Sequence, residues 1–148
     1  MNKIHVTKTY NQGIEKVFKT ISNHSHFLSG GGLQCEMIKL GNDNPNGEGA
    51  IRRIVAPKLT FEERIFDFQV NKHFAYQIIK TVPKQPLVHK KGWLDFTEID
   101  GKTRVDWYSE FAIATPVVGG LIGWFVKRQM AKAFLKRLDY AVVQKVGS

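Results

Sequence analysis

Over residues 4–114 apolar positions recur mostly every second residue, and from Thr115 onward they recur every third or fourth. The first pattern is that of strands with one dry and one wet face; the second is that of an amphipathic helix. Ile4 and Val6 against His5 and Thr7 mark a first strand ending near Tyr10, and Lys8 on its apolar side places that end at an exposed edge. One interruption follows. Ile14, Val17, Phe18 and Ile21 have helical spacing, and residues 22–27 are expected as a second short helix stopped by Gly30-Gly31-Gly32. Strands are then predicted over 33–40, 49–56, 59–70, 73–82, 87–98 and 102–114. Asn71-Lys72 and Asp100-Gly101 give tight hairpins, the second from a strong turn pair. Gly41 to Gly47 is rich in Asn and Asp but lacks the spacing and terminal Glu of a calcium loop, so it reads as a turn.

The last third organises the rest. Thr115 suits a helix N-cap and Pro116 the first turn, and the helical pattern runs on to about residue 146. Val126, Met130, Phe134, Leu138, Ala141 and Val142 gather on one side; Arg128, Lys132, Lys136 and Asp139 gather on the other. Lys127 falls near the middle of the apolar side, where it either snorkels to solvent or holds an anionic ligand head. Gly119, Gly120 and Gly123 dilute the first turns, which read either as a close-packed start or as a mobile lid. A long amphipathic helix needs a large apolar surface, and a curved sheet supplies one. The expected architecture is α+β: seven antiparallel strands wrapped around a C-terminal helix. The two short helices lie between the first two strands, at an open edge, and residues 1–148 form one domain.

Composition narrows the function classes. With one cysteine, Cys35, no internal disulfide is available, and Met1 leads directly into strand-like sequence, so a cytoplasmic location is expected. Hydrophobic residues at 43% and charged residues at 24% are ordinary for a globular domain. The formal charge of +9 is spread along the chain, apart from Lys127-Arg128, Lys132 and Lys136-Arg137, and no nucleic-acid motif accompanies it. We therefore expect a solvated helix face and no nucleic acid, with transient contact to an anionic membrane left open. His24 and His26 are expected at the surface, without the ligand set a zinc ion requires, and no metal or cofactor is expected.

Gly49-x-x-Arg52, Phe61-Glu62-Glu63-Arg64-Ile65, Phe74-Ala75-Tyr76, Gly92-x-Leu94-x-Phe96, Gly101-Lys102-Thr103-Arg104-Val105-x-Trp107 and Pro116 occur in this order across the chain. This series resembles the SRPBCC superfamily, the helix-grip (START-like) domains that include START lipid carriers, polyketide cyclases and plant abscisic-acid receptors. It is most similar to small single-domain bacterial proteins labelled polyketide cyclase or dehydrase-like. The resemblance implies a cavity between sheet and last helix, which strand parity lines with Arg52, Ile54, Phe61, Glu63, Tyr76, Ile78, Trp107, Ser109 and Phe111. Val126, Lys127, Met130 and Phe134 complete it from the helix. Positions matching Arg52, Glu63, Tyr76 and Ser109 lie in or beside the pocket of related receptors; Ser109 replaces an acid, and Ala56-Pro57-Lys58-Leu59 stands where those receptors carry a gate motif.

Arg52 and Glu63 are the two charges on an otherwise apolar face, so they are expected to meet across neighbouring strands, as a register-fixing pair or as an anchor for a ligand's polar end. The expected role is binding a hydrophobic small molecule (a lipid, isoprenoid or polyketide-like compound) as carrier or sensor. Two alternatives stay open: a cyclase or aromatase moving protons through Glu63, His89 or Tyr76, and a regulatory protein whose cavity is incidental.

Overall fold

The computed structural model describes residues 2–113 and 119–145. The alternating segments become β1 (Asn2–Tyr10), β2 (Gln34–Lys39), β3 (Ile51–Ala56), β4 (Leu59–Gln69), β5 (His73–Val82), β6 (Leu87–Ile99) and β7 (Lys102–Ile113). They form one antiparallel sheet in the order β1-β7-β6-β5-β4-β3-β2. The first strand pairs with the last, from Asn2 opposite Phe111 to Tyr10 opposite Thr103. Asp100 and Gly101 both have positive φ, 51° and 79°, as a two-residue hairpin of mirror-image twist requires. Ile4, Val6, Ile54, Ile65, Phe74, Leu94, Phe96, Val105 and Trp107 are buried on the concave face.

The intervening helices are α1 (Ile14–Ser22) and α2 (His24–Phe27), and α3 (Gly119–Asp139) continues as a π-helical segment, Tyr140–Lys145. The expectation of one uninterrupted α-helix is corrected at Asp139. Thr115 and Pro116, expected to open this helix, lie outside the described residues, as does the side-chain packing of Gly119, Gly120 and Gly123 and their neighbours.

Two placements differ from the sequence reading. α1 packs against β6, β7 and the π-helical segment rather than at an edge, because Val17, Phe18 and Ile21 need an apolar floor; α2 does sit beside the edge strand β2. Asp139, grouped by helical phase with the solvated residues, faces β1: Tyr10 Oη donates to its Oδ1 at 2.9 Å and Lys8 Nζ lies 3.3 Å from Oδ2. That pair also explains a lysine on the inner side of β1. α3 lies mainly over β1 and β7, so the concave surface of β3, β4 and β5 is left largely uncovered beside it.

Candidate functional site

The register of one hairpin builds the centre of the site. β3 and β4 pair with Arg52 opposite Glu63, and both side chains are buried, at 2% and 4% exposure. Arg52 Nε and Nη2 both donate to Glu63 Oε1, at 2.8 and 2.7 Å. Nη1 donates to His24 Nδ1 at 2.9 Å, and the guanidinium lies 4.9 Å from the centroid of the Tyr76 ring. A charge stripped of water is tolerable only with partners of this kind. Burial raises the Glu63 carboxyl above its ordinary range, and Arg52 offsets this only in part.

His24 corrects the expectation of a surface residue, since it is fully buried. Its Nε2 donates to the Asn46 carbonyl at 2.7 Å, which leaves Nδ1 as the acceptor that Arg52 needs. Burial and the neighbouring Arg52 hold its pKa well below the usual histidine range. The signal for this was spacing: His24 falls three residues after Ile21 and four before Leu28, and so continues the buried stripe of α1.

A second polar group sits where β5 and β6 part. Their pairing runs from His73–Asp95 to Tyr76–Gly92 and stops there. A Cβ at position 92 would collide with the Tyr76 ring, so glycine makes room for it. Trp107 Nε1 donates to Tyr76 Oη at 2.7 Å, and the indole stacks on Phe134 with centroids 4.0 Å apart and planes 5° from parallel. Burial raises the Tyr76 phenol further above neutrality, so it stays protonated. Beyond the split, a side chain replaces the ladder: the Ile78 N–H donates to His89 Nδ1 at 3.2 Å. His89 Nε2 then donates to Ser109 Oγ at 3.1 Å, and burial lowers the ring's pKa to about 4.

These groups border a cavity of about 860 Å³ with a mostly apolar wall. Arg52, Ile54, Phe61, Glu63, Tyr76, Ile78, Trp107 and Ser109 reach it from the sheet, and Val126, Met130 and Phe134 from α3; His89 is there as well. Two candidates are not on the wall. Phe111, flanked in the sheet by Asn2 and His89, is enclosed in the core. Lys127 is half-buried and sits one residue past Val126, about 100° round the helix from the wall.

Sequence reasoning missed the wall contributed by Leu28, Leu33, Leu59 and Leu87, and it missed Arg137. Arg137 Nη1 and Nη2 donate to the carbonyls of Phe27 and Gly30 at 3.4 and 3.0 Å, and its guanidinium lies 5.0 Å from the Tyr140 ring centroid. Gly30 has φ of 89°, and a Cβ there would strike the Tyr140 hydroxyl. Three consecutive glycines announced such a close approach, although not its partner. Among the described residues no three His, Cys, Asp or Glu side chains converge as a metal set, and no helix is long and apolar enough to cross a membrane. Cys35 is partly buried, which pushes its thiol up to about 11, away from nucleophile chemistry.

Residues 1–143 match the family described as polyketide cyclase / dehydrase and lipid transport. The chain belongs to this family. As a polyketide cyclase / dehydrase and lipid transport domain it has the helix-grip architecture: an open antiparallel sheet with a C-terminal helix. A START superfamily protein from Mycobacterium smegmatis is similar in fold, with a TM-score of 0.74 at 12% identity over 99% of this chain and 98% of that one. TTHA0849 from Thermus thermophilus gives 0.72 at 17% identity over 97% and 98%. The Aha1 dimer from Colwellia psychrerythraea gives 0.65 at 9% over 97% and 98%. At these identities the likeness concerns the fold alone. No curated protein sequence matches the chain.

Proposed function

We propose that the chain is a cytoplasmic carrier or sensor that encloses a hydrophobic small molecule between the sheet and α3. The observation that carries this reading is the 860 Å³ cavity, apolar over most of its wall, with the Arg52–Glu63 pair on one side. That is the composition of a small-molecule site: apolar area for affinity and a few fixed polar groups for orientation. Binding is favoured over cyclase chemistry because His89, one candidate base, is already committed and Tyr76 stays protonated. His89 uses both ring nitrogens. A general base needs a free lone pair within reach of the proton it removes. Exposed Phe125, Lys132 and Lys136 on α3 give the molecule a surface for brief contact with an anionic membrane during exchange.

Native mass spectrometry of the protein purified from its own host tests this. The expected spectrum contains a co-purified lipid, isoprenoid or polyketide-like mass that is released on unfolding. A protein that emerges empty and excludes neutral apolar probes would contradict the reading. An aromatic polyketide product formed in turnover would favour the cyclase.

A further inference from the structure

The deep wall of the cavity carries a cation that is already spent. Arg52 is matched in charge by Glu63, and its Nε, Nη1 and Nη2 each have an acceptor in Glu63 or His24. Both bonds to Glu63 land on Oε1. Among the described residues Oε2 takes no hydrogen bond, although Glu63 is 4% exposed and stands on the cavity wall. Oε2 therefore stays reachable from the cavity, and an apolar guest that fills the space strips its water, which is costly unless the guest brings a donor. His89 and Ser109 add no charge to this wall, because the ring is held as a neutral Nε2–H donor to the serine.

Resting on the ligand-binding reading above, we propose that the cavity selects a neutral, hydroxyl-bearing apolar molecule over the carboxylic acid of the same skeleton. The hydroxyl, an alcohol or phenol, donates to Glu63 Oε2. A carboxylate in that place would meet Glu63 with like charge, and the cation bonded to Glu63, Arg52, is already matched by it. Two further cations on the wall, Lys136 and Arg137, belong to α3, and Arg137 is held there by the carbonyls of Phe27 and Gly30.

Farnesol and farnesoic acid share one skeleton and test the choice directly. Each is titrated against the full chain at about pH 8, where the acid is ionised, by displacement of the neutral probe N-phenyl-1-naphthylamine. The wild type is expected to bind the alcohol about tenfold tighter or more. Glu63→Gln removes the charged acceptor and leaves Arg52 uncompensated. Farnesol then weakens about tenfold while the acid gains, so the preference inverts; a pair serving only as a structural tie would leave the ratio unchanged. Should E63Q not fold, the wild-type ratio decides alone. Equal affinities, or a tighter acid, would overturn the inference and leave the carrier reading intact. An acid preference abolished by Arg137→Gln would also overturn it, by placing the head group at the α3 end. Exclusion of both ligands and of the probe would overturn the carrier reading and this inference together.

Discussion

Phe74 and Tyr76 stand two residues apart on the same face of β5, yet they belong to different interiors. Around Phe74 the bowl is solid: Phe18 from α1 meets Phe96 edge-on, with centroids 4.9 Å apart and planes at 74°, and Phe68 and Phe74 close the cluster. Around Tyr76 the same strand borders the cavity. The alternation that builds both is identical, so strand pattern alone does not decide between core and hollow. The opposing layer decides. α1 drives Val17, Phe18 and Ile21 into one end, whereas α3 lies off to the β1–β7 side and leaves the other end to Arg52, Glu63, His89 and Ser109. Those polar groups are tied to one another and cannot collapse inward as aliphatic side chains would.

The largest expected difference between the two ends is in stability. Phe74→Ala should cost about 3–5 kcal/mol in urea unfolding, because it empties a packed aromatic cluster; a loss under 1 kcal/mol would mean that this end is loose as well. Next comes pH. His24 and His89 are held below their unfolded pKa, with His89 at about 4, so their neutral forms stabilise the fold above the unfolded value and that contribution is lost as pH falls toward 4. For His89 alone the loss amounts to at most about 3 kcal/mol. Glu63, raised by burial, acts with the opposite sign, so the slope is read as the difference between wild type and His89→Leu. An identical pH profile in the two proteins would remove His89 from the account.

Gly92→Ala should cost about 1–3 kcal/mol and distort the Tyr76 wall, so probe affinity falls with stability; unaltered affinity would show that Tyr76 is not what shapes the hollow. The smallest effect is expected at Lys127. It lies off the wall, and Lys127→Ala should leave both stability and ligand uptake within about 0.5 kcal/mol of wild type; a marked loss of uptake would place its ammonium in the site after all.

Much of this division could be read from the residues. The seven strands followed from period-two alternation, and the Arg52–Glu63 contact followed from two charges on one face of a single hairpin. What escaped depended on contacts distant in sequence. His24 can be buried because the carbonyl of Asn46, from a loop 22 residues on, accepts a hydrogen bond from its ring N–H. Asp139 turns inward because β1 brings Lys8 and Tyr10 beneath α3. Phe111 has the parity of the wall residues but is enclosed, and parity carries no information about what lies opposite. Lys127 shows the same weakness on a helix, where one residue of phase separates wall from flank.

The claim beneath all of this is that the Tyr76 end is hollow and accepts an apolar guest. Fluorescence titration of N-phenyl-1-naphthylamine against the wild type and Met130→Trp tests it most directly, because position 130 reaches the cavity from α3. The account predicts saturable uptake by the wild type and its loss when tryptophan fills the space, with the fold retained by circular dichroism. Equal uptake by both proteins, or none by either, would contradict it.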